Sequence, residues 1–160
     1  MDYAQMIQHL LTLAAAYVLA LPIGWDREKE ARSAGLRTFP LVALATCGFI
    51  EATESMFASS AESQARVVEG LITGVGFIGG GAILKHGASV YGTATAASLW
   101  ATGAIGTAVG LGSYEVAVTI SVITFLTLTL LPLLKTETAA DAPPAKRNGS
   151  RRAKSGSAKT

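Results

Sequence analysis

The feature that most constrains this chain is the spacing of its apolar runs. Crossing a hydrocarbon core about 30 Å thick takes roughly 20 consecutive, mostly apolar residues in a helix. Five such stretches follow one another with short links between them: Met6 to Gly24, Thr38 to Glu54, Val67 to Leu84, Thr93 to Leu111 and Val116 to Leu134. The second is the shortest and weakest. Links this short suit adjacent antiparallel helices. Half of the residues are hydrophobic and only 15% are charged, against the roughly 25% typical of soluble domains. Most of the charges sit in two blocks, 26–37 and 135–160. That pattern excludes a disordered protein, a disulfide scaffold and a nucleic-acid binder. It implies an all-α, polytopic bundle of five transmembrane helices over residues 1–135. Residues 136–160 are rich in Ala, Pro, Ser, Gly and Lys/Arg, which predicts a disordered basic cytoplasmic tail and no soluble C-terminal domain.

Prolines punctuate the spans. Pro40 falls in the first turn of the second, where a missing N–H costs little. Pro22 is expected to kink the first span, and Pro132 to close the fifth. The first span has no basic stretch before it and no clear cleavage site before Trp25, so it reads as a retained helix rather than a signal peptide. Tyr3 and Trp25 bracket it as interfacial aromatics do.

Orientation follows from the basic residues. With five spans, twelve of the thirteen Lys and Arg fall on one side, and only Arg66 on the other. The positive-inside rule places the basic side in the cytoplasm, so the N-terminus is outside and the C-terminus inside. Asp2, Glu51, Glu54, Glu62, Glu69 and Glu115 fall at or near the outer face. Acids escape the positive-inside rule, so this asymmetry is either incidental or a surface that concentrates cations.

Twelve of the seventeen glycines lie between Gly70 and Gly112. In lipid, small residues let helix backbones approach closely. Projected at 100° per residue, the third span has two glycine faces, Gly70/Gly74/Gly81 and Gly76/Gly80. Its third face, Val68/Leu71/Val75/Ile78/Ala82, is expected to meet lipid. Two glycine faces imply neighbours on both sides, and hence a central position in the bundle. In the fourth span Gly103, Gly106 and Gly110 share a face suited to tight contact. The competing expectation is that Gly79-Gly80-Gly81 unwinds the third span, as backbone lining a wet cavity can.

Intramembrane ionisable residues are functional candidates, and Glu51 and Glu69 qualify. Arg66 precedes Glu69 by three residues, which predicts a one-turn salt bridge. Pairing that holds the second and third spans together, and a cation site, are the alternatives. Thr93, Thr95 and Ser98 can bond back to their own helix or across to the third span. Residues Asp26 to Arg32 alternate in sign, as a solvated helical extension does. Arg37 and Thr38 open the second span where Arg can reach headgroups. Gly74 to Gly79 matches the dinucleotide fingerprint formally, but neither the βαβ context nor the following acid is present. One cysteine and two histidines make no zinc cluster. No catalytic constellation is readable, so no enzyme activity and no cofactor are expected.

Three segments together resemble the signatures of the MgtC/SapB membrane proteins. They are Gly24-Trp25-Asp26-Arg27-Glu28 with Ala34-Gly35-Leu36-Arg37-Thr38, then Arg66-Val67-Val68 with Thr73 to Gly81, then Gly92 to Trp100 with Ala104-Ile105-Gly106 and Gly110-Leu111-Gly112. The resemblance covers about residues 5–134. It implies a bacterial inner-membrane protein with a five-helix N-terminal domain. Some members of that family are linked to growth under magnesium limitation and to survival in host cells. The family is often labelled a magnesium transporter, while its better-characterised members are thought to act as membrane regulators, with the ATP synthase and phosphate uptake among proposed targets. Two departures stand out. Longer relatives carry a soluble C-terminal domain where this chain has a basic tail. Virulence-type members carry Asn and Cys where this chain has Ala94 and Ala101.

The residues singled out are Asp26, Arg37, Thr38, Arg66, Glu69, Gly74, Gly76, Gly79, Gly80, Thr93, Thr95 and Trp100. The expected function is a regulator in magnesium or ion homeostasis that acts through helix–helix contacts. Its partners would be the lipid bilayer and a second copy of the chain, a dimer first, or another membrane protein. The alternative is an oligomeric magnesium or other cation transporter, with a divalent cation as ligand. A membrane module with no ligand is the third reading.

Overall fold

The computed structural model describes residues 3–30, 34–57 and 61–134. The expected tail, Arg32 and Asp2 lie outside the described residues, as does the side chain of Glu54. Five helices follow in order: α1 Tyr3–Lys29, α2 Thr38–Phe57, α3 Ala61–Gly81, α4 Thr93–Gly110 and α5 Tyr114–Leu134. Between α3 and α4 lies a small antiparallel hairpin, β1 Leu84–His86 and β2 Ser89–Tyr91. Two helices, α1 and α5, are long and apolar enough to cross a membrane, and α2 is apolar over the shorter stretch Thr38–Thr53.

The helix ends follow from local chemistry. α2 starts where Thr38 and Phe39 N–H both donate to the Gly35 carbonyl, with Pro40 in the first turn as its missing donor allows. α4 ends in a Schellman motif. Ser113 N–H donates to the Ala108 carbonyl, Gly112 N–H to the Val109 carbonyl, and Gly112 takes a left-handed φ of 74°. α1 stays helical through Pro22 and on to Lys29, so the expected extension is helical as far as Lys29, but it is not solvated throughout, because Arg27 is buried. α5 likewise runs through Pro132 to Leu134, so that proline does not close the helix.

Contacts between named residues show that successive helices alternate in direction. Tyr114 meets Thr12, Ser121 meets Leu19 and Thr129 meets Asp26, so α5 lies parallel to α1. Val75 of α3 meets Gly103 and Gly79 meets Ala96, so α3 runs against α4. Gly106 meets Ala43 and Gly110 meets Cys47 and Ile50, so α4 lies parallel to α2. One end of the bundle therefore carries Arg27, Lys29, Arg37 and Lys85, together with Asp26, Glu28 and Glu30. The other carries Glu51, Glu62, Glu69 and Glu115.

The centre of the bundle is α4, not α3. α4 packs against each of the other four helices and buries Thr95, Ser98, Leu99, Thr102, Ile105 and Val109. Its glycines make the close contacts their spacing predicts. A Cβ built on Gly106 would stand 2.2 Å from the Ala43 carbonyl oxygen and 2.1 Å from Thr46 Oγ1, and one on Gly110 would stand 2.8 Å from Ile50 Cβ. α3 by contrast buries only Val75 and Gly79. The face expected to meet lipid is the one that meets α4, because β-branched Val75 fills the notch left by Gly103. The glycine faces point the other way. Nothing stands within 4 Å of a Cβ added at Gly70, Gly74, Gly76, Gly80 or Gly81.

The triple glycine does not unwind α3. The helix runs to Gly81 and closes with tightened bonds, from Ala82 N–H to the Gly79 carbonyl and from Ile83 N–H to the Gly80 carbonyl. The hairpin then turns at Gly87, whose φ of 61° suits a two-residue turn. At Gly92 (φ 85°) a Cβ would meet the Ala82 carbonyl oxygen at 2.0 Å, so only glycine lets the hairpin close its base.

Beside an apolar core, the bundle buries polar groups and exposes large apolar ones. Thr12, Arg27, Thr46, Thr95, Ser98, Thr102 and Ser121 are buried, while Leu10, Leu11, Val18, Phe77, Ile123 and Leu131 are exposed. Soluble domains rarely present apolar surface so continuously.

Candidate functional site

The two halves of the first signature fold onto each other at the basic end. Gly24 approaches so closely that an added Cβ would stand 3.2 Å from Leu36 Cα. Glu28 turns back and its Oε2 accepts the Leu36 N–H at 3.1 Å. Gly35 leaves room for that carboxylate, since an added Cβ would come within 2.0 Å of Glu28 Oε2. Asp26 and Arg27 form a pair there. Arg27 Nε and Nη2 both donate to Asp26 Oδ2, Nε at 3.0 Å, and Thr129 Oγ1 donates to Oδ1 at 3.4 Å. The Arg27 side chain is 5% exposed and that of Asp26 16%. Sequence reasoning singled out Asp26 and missed Arg27. The signal was present: Arg27 continues the buried series Ala16, Ala20, Ile23 at helical spacing.

Arg37 and Thr38 stand at the mouth of a groove of about 700 Å³ between α2 and α3. Leu41, Val42, Ala45, Phe49, Gly70, Leu71, Gly74 and Ile78 contribute to its walls. Of the residues singled out, the groove joins Arg37, Thr38 and Gly74. Gly76 and Gly80, one turn apart, lie on the outward face of α3, beside Phe77, which is 86% exposed. Gly79 faces α4 instead, 3.2 Å from the Ala96 carbonyl oxygen when a Cβ is added.

The remaining candidates scatter. Thr93 is exposed at the start of α4, and Thr95 is buried. Ser98 bonds back to the Thr95 carbonyl and Thr102 to the Ser98 carbonyl; among the described residues no hydroxyl of this row reaches α3. Trp100 is half-exposed against a second apolar groove, of about 310 Å³, with Val68, Ile72, Thr107 and Ile120. Arg66 pairs with Glu62 at 2.9 Å rather than with Glu69. The i, i+4 geometry serves better here, and it leaves Glu69 exposed without an ion-pair partner among the described residues.

The acidic end holds a polar cavity of about 390 Å³ lined by Gln8, Thr12, Glu51, Thr53, Gln64 and Tyr114 among others. Glu51 accepts from His9 across α1 and α2. Sequence reasoning flagged Glu51 and missed His9. Among the described residues no group of three or more His, Cys, Asp and Glu is placed to share a metal ion.

These features define a class: an α-helical bundle, apolar outside, with two helices able to cross a membrane and its glycines concentrated on two open faces of α3 and at interhelical notches. The chain belongs to the MgtC family, whose family model matches residues 13–137. It is 38% identical over 118 residues to protein MgtC of Salmonella typhimurium, covering 74% of this chain and 50% of that protein. It is 40% identical over 111 residues to an uncharacterized protein of Synechocystis, covering 69% and 47%. It is 34% identical over 127 residues to YhiD of Escherichia coli (strain K12), covering 76% and 59%; the name of that protein makes it a candidate magnesium transporter. The chain thus spans about half the length of the curated relatives it matches. No solved structure matches it.

Proposed function

We propose that this protein is a multi-pass protein of the bacterial inner membrane and a regulator in magnesium or ion homeostasis. It acts through helix–helix contacts with a second copy or with another membrane protein. In this reading all five helices span the bilayer, with the N-terminus outside and the C-terminus in the cytoplasm. Family membership supports the link to magnesium. The observation that carries the mode of action is the outward face of α3, where Gly76 and Gly80 have nothing within 4 Å. A small-xxx-small pair left open to lipid is the geometry by which membrane helices approach one another. The test is mild crosslinking in native membranes. The wild type is expected to yield a crosslinked species that Gly76→Leu and Gly80→Leu abolish without lowering the amount of folded protein. A wild type that crosslinks to nothing refutes the mode of action.

The polar cavity at Glu51 favours a second reading, a cation-transporting oligomer. Reconstituted vesicles separate the two: magnesium flux that falls with Glu51→Gln would favour transport, and no flux would favour regulation.

A further inference from the structure

Arg37 is the only cation lining the groove between α2 and α3 among the described residues. No described carboxylate stands within ion-pair distance of it. Inward from Arg37 the groove is walled by Leu41, Phe49, Leu71 and Ile78, and Gly70 and Gly74 keep the α3 wall flat. From Arg37 to Phe49 the helix rises about 18 Å at 1.5 Å per residue. A single leaflet takes roughly half of the 30 Å hydrocarbon core, about 15 Å. The groove is therefore one leaflet deep, open on its flank, and cationic at its headgroup end; inward of Thr38 it is apolar except for Thr46, whose hydroxyl donates to its own helix.

A helix from a second copy fits this groove poorly. Seated in the groove in the same orientation, a second copy's helix would bring the Lys- and Arg-bearing level of its own chain directly onto Arg37, which a contact at Gly76 and Gly80 on the outward face of α3 does not. An anionic headgroup brings the complementary charge. We propose that the groove holds an acyl chain of an anionic phospholipid from the cytoplasmic leaflet, with the lipid phosphate on the Arg37 guanidinium and beside the Thr38 hydroxyl. The site rests on the membrane orientation proposed above, and not on the Gly76/Gly80 contact.

The test uses the full chain in mild detergent and native mass spectrometry, with phosphatidylglycerol and phosphatidylcholine of equal chain length. The wild type is expected to retain one phosphatidylglycerol in preference by about fivefold, the factor one basic residue near an anionic lipid supplies. Arg37→Gln removes the preference. Lys85→Gln, a loss of charge at the same end outside the groove, leaves it. Gly74→Leu, which fills the groove, lowers retention of both lipids. Equal retention of the two lipids by the wild type overturns the proposal, as does a loss of preference in Lys85→Gln equal to that in Arg37→Gln. Displacement of the lipid by inorganic phosphate would assign Arg37 to a free anion and overturn it too. Should Gly74→Leu fail to fold, the exposed Arg37→Gln still decides. A reversed membrane orientation would leave retention in detergent intact and would show only in cysteine labelling from the two sides, so the two failures are distinguishable.

Discussion

Glycine has opposite meanings at different positions of this chain. At Gly106 the backbones of α2 and α4 are in contact, and the nearest backbone obstacle to an added Cβ is the Ala43 carbonyl oxygen, which cannot rotate away. Gly106→Ala is expected to lower stability by about 1–3 kcal/mol, the usual cost of overpacking. At Gly80 nothing is in the way, and alanine favours a helix by up to about 1 kcal/mol over glycine. Gly80→Ala is therefore expected to be neutral or stabilising in detergent. Thermal unfolding of the two variants measures the contrast, and equal destabilisation would refute the packing described. The Asp26–Arg27 pair is a second case where context decides. Removing one member leaves a charge buried, which costs about 3–5 kcal/mol, whereas replacing both is often close to neutral. Asp26→Asn is expected to destabilise by about 3 kcal/mol, and Asp26→Asn with Arg27→Met to recover most of that loss. A single variant as stable as the wild type would show that Thr129 and water, rather than Arg27, satisfy Asp26.

At the scale of elements, α3 shows where sequence and structure part. Its length, its place in the order and its glycine faces were legible from residue spacing, but which face turned inward was not. Periodicity sorts residues into faces. It does not say which face meets protein when both lipid and neighbouring helices are apolar. The deciding fact is complementarity between two helices: Val75 enters the notch at Gly103, with an added Cβ 3.3 Å from Val75 Cβ. That notch was readable as a small face on α4, yet its partner was not. The hairpin was hidden for a simpler reason, since three-residue strands carry too little pattern to distinguish from a loop. The groove at Arg37 was legible only at its mouth, because its walls come from two helices and exist only once they are placed. The placement of α3 is directly testable. Disulfides need Cβ atoms about 3.5–4.5 Å apart. In a background with Cys47→Ala, Val75→Cys with Gly103→Cys is expected to oxidise within one chain, while Gly76→Cys crosslinks only between chains. Failure of the first pair would restore Val75 to the lipid face.

For the molecule as a whole, hydropathy marks only α1 and α5 as able to cross a membrane, while five spans are proposed above. Those two, α1 and α5, lie beside each other at the periphery, where lipid alone must solvate the side chains. α4, the shortest helix, is about 27 Å long over its 18 residues, and its Gly, Thr and Ser lower its hydropathy. Neighbouring helices cover most of it and leave Trp100 half-exposed, so in the proposed topology it can cross with little apolar surface of its own. α1, with 27 residues, measures about 40 Å and overshoots a 30 Å core. The excess carries Trp25, whose ring lies 5.3 Å from Lys29 Nζ, as an anchor in the headgroup layer suits. The alternating helix directions then put Lys85 and the hairpin on the same side as Arg27 and Arg37, and the α2–α3 link on the acidic side. Native Cys47 is fully buried, which permits a clean labelling experiment after Cys47→Ala. With an impermeant maleimide, Gln64→Cys is expected to react in intact cells and His86→Cys only after the membrane is opened. Labelling of His86→Cys in intact cells would invert the orientation. Labelling of both from one side would mean that α3 does not cross, and that the chain is held in the membrane by α1 and α5 with the rest resting against them.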